Sequence, residues 1–518
     1  MKRSIGDGLV TALIAAVFVL LVQAGFESTS FAASDTESYS YFENLPLFNP
    51  LTPLESDEMR ITFMGSMIPL PVRLAQAEMS VFVEVGWVDD PSDTYYHGRP
   101  VDQFVFDMGA GVSANFAAAK VGYRRMDKVF INHLHGDHMN DLVHTYCFGP
   151  SSDRKSPLYV WGSKPSGVQN PSYFNASTGG CNVVGSTASG GAYYDDGVTA
   201  FCSHLREALR WHTESFSFQT TAYSGFVPPT KESWGLPHDP VPVGDDSPND
   251  AYALVPIELD WTKVGGVAYN NVSTGAKITH FPVIHARKGS MGYKLEWTTP
   301  TGAVLNMIYT SDTKPETNCV EQAKNDGVGV DVFIHEMVVP PVVWAYKNMA
   351  LNEAPSIGDP NYADFQRTVQ ALTRVQNSSH TSQGAFGYIL SQIEPRPRLT
   401  VATHFPVADD TVESALNSVK AHCPEVEMDR DTGNIVWSFD LMVLRVFPDG
   451  IEQCRADVSR FSFTPPVRVP DGLLTPKYHD GTGAGDPYAQ IDITAQIPPT
   501  NPDGTENYRE DGLTPVSQ

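Results

Sequence analysis

The 518-residue sequence predicts an α+β protein, on three observations. Short apolar runs bounded by glycine and aspartate recur along most of the chain, the signal of strands in a layered sheet. Runs of this kind alternate with helix-like ones. Histidines and aspartates fall repeatedly at the points where these strands end.

In chain order, residues 1–32 begin with Lys2-Arg3, continue through the uncharged run Leu9 to Ala24 and reach the small residues around Ser30-Phe31-Ala32. This is the pattern of a signal peptide cut before Ala33. The apolar run is shorter than the roughly 20 residues a membrane span prefers, so an uncleaved anchor is the alternative. A periplasmic or secreted protein with no stable membrane insertion is therefore expected. Residues 33–58 form an N-terminal extension. The first part of a core follows over 59–162, with strands at Met59–Gly65, Ser80–Val85, Gln103–Phe106, Lys128–Ile131 and Leu158–Gly162.

Residues 163–275 turn rich in Gly, Ser, Asn, Pro and Tyr, with one helical candidate at Leu205–Leu209, and read as a cap or loop insertion. Loops on a rigid scaffold usually select the substrate, which makes Tyr193, Tyr194, Trp211, His212 and Trp234 specificity candidates beside their plainer reading as local packing. The core resumes over 276–462. It carries strands at His280–Ile284, Met291–Trp297, Ala303–Tyr309 and Leu399–Thr403, a helix at Ala363–Gln376, and late strands over Ile435–Val446 that close the second sheet. The run Met337–Trp344 reads as core or as the wall of an apolar pocket. Residues 463–518 are rich in Pro, Gly and Asp and read as an extended tail.

Six cysteines (147, 181, 202, 319, 423, 454) without a CxxC fit an oxidising compartment and do not suggest a zinc ribbon. Sequence proximity favours Cys181–Cys202 and Cys423–Cys454 as disulfides that stabilise loops.

The chemistry concentrates in His133-Leu134-His135-Gly136-Asp137-His138, four metal-capable side chains in six positions on the loop leaving a strand. Such a loop lets ligands converge on one point. His133 and His135 can share one ion, while Asp137 and His138 turn to a second about 3.5–4 Å away. Further ligands follow in order at later strand ends: His285, Asp312 and His404.

The chain resembles the metallo-β-lactamase fold hydrolases, and within them the tRNase Z-like and arylsulfatase-like branch. Phe106-Asp107-Met108-Gly109 looks like the aspartate-x-glycine strand end before the metal loop. Val283-Ile284-His285 with Gly292-Tyr293-Lys294-Leu295-Glu296 looks like the branch's histidine and glycine-tyrosine strand. Ser311-Asp312-Thr313, His335-Glu336, His380-Thr381-Ser382 and Thr403-His404-Phe405 match its later elements. The likeness spans roughly residues 59–450, interrupted between 150 and 275. A weaker likeness is to an exported group associated with guanitoxin biosynthesis.

The resemblance implies a four-layer αβ/βα sandwich with a long insertion and an extended C-terminal tail. It implies one ion held by His133, His135 and His285, a second by Asp137, His138 and His404, and Asp312 bridging them. Zinc heads the list of metals, with manganese and iron also suited to such ligands. Two dications bring the pKa of a shared water toward neutrality and so supply a hydroxide nucleophile. Asp137, His380 and Glu336 are the catalytic candidates, with His380 as the general acid oriented by Glu336. His335 reads as structural. The order Thr381-Ser382 departs from the branch's serine-threonine, Gly384-Ala385-Phe386 is offset from its downstream alanine, and its tRNA-gripping arm is not evident.

Lys+Arg number 35 against 60 Asp+Glu, a net charge of −25. A surface this acidic repels polyanions at range, so a small-molecule substrate and no nucleic-acid partner are expected, with a homodimer left open. The function expected is an exported dinuclear hydrolase of a phosphodiester, sulfate ester or lactone. True β-lactamases of this fold usually carry cysteine or serine in place of the bridging aspartate. A non-haem iron redox enzyme and a non-catalytic binding protein are the alternatives.

Overall fold

The computed structural model describes residues 41–68, 76–92, 97–168, 194–216, 225–351, 353, 355–382, 384–407 and 411–458. The expected signal peptide, the tail over 463–518, Tyr193 and Cys181 lie outside the described residues.

Two mixed sheets stack face to face. The first has nine strands: β1 (Leu47–Phe48), β2 (Met59–Gly65), β3 (Ser80–Val85), β4 (Asp102–Phe106), β5 (Lys128–Phe130), β6 (Leu158–Ser163) and β7 (Leu254–Leu259), with two late strands described below. The second has seven: β8 (Gly266–Asn271), β9 (Ala276–Pro282), β10 (Met291–Thr298), β11 (Val304–Tyr309), β12 (Val332–Glu336), β13 (Leu399–Thr403) and β14 (Ile435–Trp437), in that spatial order. The late strands β15 (Met442–Val446) and β16 (Ile451–Ala456) return to the first sheet, whose order is β1-β16-β15-β2-β3-β4-β5-β6-β7. In each sheet an antiparallel half meets a parallel half, β4 to β7 in the first and β11 to β14 in the second.

Side chains two apart on a strand face the same way, and this period of two sorts the core into layers. Val81, Val83, Phe104, Phe106 and Phe130 from the first sheet pack between the sheets against Tyr293, Leu295, Trp297, Met307 and Ile334 from the second. The alternate residues Phe82, Val105 and Val129 face outward onto the helix Val112–Ala118, while Ile308, Phe333 and Ala402 face outward onto the helices on the other side. The result is the αβ/βα sandwich.

Trp161 ties the sheets together. It stacks on Phe130 at 4.3 Å between centroids and donates its indole N–H to the Ala268 carbonyl at 2.9 Å. The Tyr293 hydroxyl makes a second tie, donating to Ile131 O at 3.0 Å beside the histidine-rich loop.

Three expectations change here. The run Ile435–Val446 does not stay in the second sheet: β14 pairs with β13, whereas β15 pairs antiparallel with β2 in the first. The crossing occurs at Leu441, where φ is 67°, and Asp440 anchors it by accepting from Ser66, Ala77 and Asn115. The stretch 163–275 is not only an insertion, since it returns β7 and β8 to the edges of the two sheets. Cys423 and Cys454 are not bridged. Both are buried free thiols, in the outer layers of opposite sheets, and Cys147, Cys202 and Cys319 are free as well. No helix among the described residues is long and apolar enough to cross a membrane.

Trp161→Ala should cost about 3–5 kcal/mol by emptying the space between the sheets. Urea unfolding measures this, and a loss below about 1 kcal/mol would contradict the role given to this residue.

Candidate metal centre

The carboxyl ends of the parallel strands meet along one edge of the sandwich, where open α/β sheets place their ligands. Three of the residues there have left-handed backbone: Asp107 (φ 58°) after β4, Ser311 (φ 53°) after β11 and His404 (φ 59°) after β13. For a non-glycine residue this costs of order 1–3 kcal/mol and persists where packing and hydrogen bonds enforce it. Each sharp turn brings a side chain to the same point.

The chain after β5 divides its four ligand candidates between two conformations. His135 sits on extended backbone and His133 lies outside any helix or strand, whereas Asp137 and His138 lie on a single helical turn, Gly136–Met139. Gly109 makes room for that turn. A Cβ there would lie 2.2 Å from the Asp137 carbonyl and 2.7 Å from Glu78 Cβ. The turn is pinned by hydrogen bonds from Met79 N to Asp137 O at 3.1 Å and from Met108 N to His138 O at 2.7 Å.

Seven side chains converge in two groups. His133, His135 and His285 form one, and Asp137, His138, Asp312 and His404 the other, with ligand atoms in each group within 4.8 Å of one another. Asp312 faces both: one carboxylate oxygen lies 3.4 Å from His138 Nε2, the other 3.5 Å from His404 Nε2 and 3.8 Å from His285 Nε2. Asp137 lies 3.3 Å from both His138 and His404. All are buried except His135, which faces solvent.

These residues fit divalent cations on the evidence of their own unmet bonding. His133 Nδ1 and Nε2, His138 Nε2, Asp312 Oδ1 and His404 Nδ1 are buried and make no hydrogen bond among the described residues. Buried polar atoms without partners are rare and costly, and here they cluster where His and Asp donors converge. Burial, then the neighbouring His138, hold the pKa of His133 well below the ordinary imidazole value, which keeps it in the neutral, ligating form. Burial opposes charge on His138 and His404 too. There Asp137, Asp312 and Asp107 outweigh it at His138, and Asp312, Asp137 and Glu336 raise His404 to about 10. The carboxylates that draw protons onto these rings would draw a dication equally.

Asp107, quoted in the sequence only as part of a motif, fixes the geometry behind the ligands. Its carboxylate accepts from His138 Nδ1 at 2.8 Å, from the Tyr309 hydroxyl at 2.8 Å, from Ser311 Oγ at 3.2 Å and from Asn132 N at 2.9 Å. His138 must then present Nε2 to the centre. His285 is oriented likewise by donating Nδ1–H to the Ser379 carbonyl at 2.8 Å, a partner that no sequence motif could reveal.

His380 and Glu336 pair as expected: His380 Nδ1 lies 2.8 Å from Glu336 Oε2, and Glu336 also accepts from Thr313 N. With His285 they form a third group of potential ligands. His335 points elsewhere, donating Nδ1–H to the Glu336 carbonyl and stacking on Phe386. Of the specificity candidates, Trp234 packs against Tyr159, Trp161 and Tyr269, His212 bonds the Cys147 carbonyl and Trp211 is exposed. Tyr194 alone of the described candidates lies beside the His285 loop, under the Arg287 guanidinium at 4.5 Å. The run Met337–Trp344 buries Met337, Val338 and Val339 and then opens the helix Pro341–Asn348.

No protein-family model matches the chain. Over 64 residues it is 33% identical to ribonuclease Z of Treponema denticola, a stretch that is 12% of this chain and spans only 21% of that relative. Among solved structures, YhfI from Bacillus subtilis, a metallo-β-lactamase fold protein, superposes with TM-score 0.39 at 11% identity, covering 75% of this chain and 100% of that one. The short form of human tRNase Z superposes with TM-score 0.37 at 15% identity, covering 74% and 98%. The described residues themselves form a sandwich of two mixed sheets with helices outside.

The shared sequence corrects one expectation. Exclusion of nucleic acid as a partner does not stand, because a relative with shared sequence is a ribonuclease. The net charge of −25 sums the whole chain. The field at a site is set by groups within about a Debye length, roughly 8–10 Å, and not by the sum over the chain.

Asp107→Asn should weaken divalent-metal affinity about 10–100-fold while the fold survives, because His138 loses the carboxylate that orients it. Competition with a chromogenic chelator measures this. Unchanged affinity would show that Asp107 has no orienting role.

Proposed function

We propose that this chain is a metal-dependent hydrolase of ester bonds, working with two divalent cations. The observation that carries the reading is Asp312, buried between two His/Asp groups and within 3.4 to 3.8 Å of imidazole nitrogens from both. His133, His135 and His285 would hold one cation, Asp137, His138 and His404 the other, with Asp312 shared; zinc, manganese and iron all suit such ligands. When bound, the cations supply Lewis acidity, which makes water a nucleophile near neutral pH and polarises the ester under attack.

The protein's own residues do the rest. Asp107, through His138, and Ser379, through His285, hold the imidazoles in one tautomer and orientation. Glu336 holds the proton on His380 Nδ1. Burial disfavours the charged ring, but the Glu336 charge and hydrogen bond outweigh it and raise the His380 pKa. His380 can thus carry a proton at neutral pH and give it to the departing oxygen as the bond breaks. It borders the open cavity next to the centre, so the departing group has room on that side.

The substrate class we propose is an ester with a phosphoryl, sulfuryl or lactone centre, and we include RNA phosphodiesters in it because of the 64-residue likeness to ribonuclease Z. The test is a panel on the purified chain loaded in turn with zinc, manganese and iron. It contains an aryl phosphodiester, a short RNA, an aryl sulfate and a lactone, with Asp312→Ala as the blank. Metal-dependent turnover of one class, absent in the blank, is the expected result. Equal turnover in the blank would overturn the reading.

His380→Ala should slow esters with poor leaving groups by about 100-fold or more and activated aryl esters far less. Steady-state rates on the two ester types measure this, and equal losses on both would remove His380 as the proton donor.

A further inference from the structure

The cavity that opens beside His380 has a volume of about 490 Å³, and Lys314, Asn377, Ser382, Gly384 and His422 line it. Its position matters because His380 is the residue assigned to protonate the leaving oxygen. On the hydrolase reading the leaving group departs on the His380 side, and this is the cavity that His380 borders.

The cavity's chemistry is that of an anion site. Among the described residues the Lys314 ammonium has no hydrogen bond or ion pair, although most buried or half-buried cations of this acidic chain are matched to carboxylates. Lys314 is firmly rooted. Its backbone N–H donates to Ile284 O at 2.7 Å, its carbonyl accepts from Thr313 Oγ1 at 2.8 Å, and Thr381 Oγ1 holds the preceding carbonyl at 2.8 Å. Both loops that carry His285 and His380 therefore fix where the lysine stands. Among the described residues, none of those lining the cavity is a carboxylate. On the facing wall, His422 lies directly over Gly384. A Cβ at 384 would come within 2.3 Å of the His422 ring, so glycine lets the imidazole approach the loop that follows His380. Asn377 and Ser382 add amide and hydroxyl groups, 3.4 Å apart.

We propose that this cavity is a leaving-group subsite that selects esters whose leaving group carries its own negative charge, a carboxylate, sulfate or phosphate, with Lys314 as the counter-charge. The inference rests on the hydrolase reading. In the reaction, the oxygen of water forms the new bond to the attacked atom while its proton passes to solvent. The bond to the leaving oxygen breaks, the His380 proton goes onto that oxygen, and His380 regains a proton from solvent. The group departs as a neutral hydroxyl bearing its remote anion, which Lys314 holds. A charge-assisted contact of this kind contributes selectivity on the order of ten-fold.

The test uses the metal-loaded full chain and two methyl aryl phosphodiesters. One releases an uncharged nitrophenol and the other a carboxylated nitrophenol of matched acidity. In Lys314→Ala the ratio of kcat/KM, carboxylated over uncharged, should fall about ten-fold, mainly through KM, and Lys314→Arg should restore it. Calorimetric binding of the two free nitrophenols gives a readout that needs no turnover, and the carboxylated one should bind more weakly to Lys314→Ala. Turnover with the same ratio in wild type and Lys314→Ala would overturn the subsite and leave the hydrolase reading standing. Charge-selective binding lost in Lys314→Ala, with no turnover of any ester, would support the subsite as an anion pocket and count against the hydrolase reading. Binding of both nitrophenols indifferent to Lys314→Ala would overturn the subsite outright.

Discussion

Asp312 imposes the constraint on which the rest of the site depends. A carboxylate without exposure to solvent is costly unless positive charge or hydrogen bonds meet it. Burial raises its pKa, yet His404, His138 and His285 hold it well below the carboxylate range, so it remains charged. Keeping a charged aspartate there requires rings from three separate strand ends to stand within 4 Å of it. The two sheets must therefore meet in one register, which the Trp161, Tyr293 and Tyr309 bonds across the seam enforce.

The strained strand ends follow from the same demand. Asp107, Ser311 and His404 each turn through left-handed backbone so that side chains from separate strands reach one volume. Asp107 joins its own turn to that of Ser311 by accepting from Ser311 Oγ, and it also holds the ring of His138. A centre built this way is preorganised before any cation arrives. Glu336 extends the order outward by binding the Thr313 amide on one side and His380 on the other. The candidate ligands and the proposed proton donor thus share one hydrogen-bonded frame, and the Lys314 cavity opens from its edge.

Much of this was legible in the sequence, for identifiable reasons. Strands buried along most or all of their length, such as Met59–Gly65 and Met291–Thr298, announce themselves by apolar content, and the candidate ligands by falling where strands stop. The strand Leu254–Leu259 stayed hidden because Pro256 argues against a central strand; it is tolerated because this is a sheet edge. Its counterpart Gly266–Asn271 is rich in glycine and asparagine and is again an edge. The crossing at Leu441 lies within one continuous apolar run, and only the three-dimensional partners of Asp440 reveal it. Proximity in sequence failed for Cys423 and Cys454 because the sandwich separates their layers. Net charge failed for nucleic acid because it has no location.

The most direct test of the central claim is the number of divalent ions held by the folded chain, read by native mass spectrometry after zinc loading and removal of excess metal. Two ions per chain in the wild type, with loss of at least one in Asp312→Ala, is the result this account predicts. A single ion retained equally by both proteins, or none in either, would contradict a shared carboxylate between two metal sites.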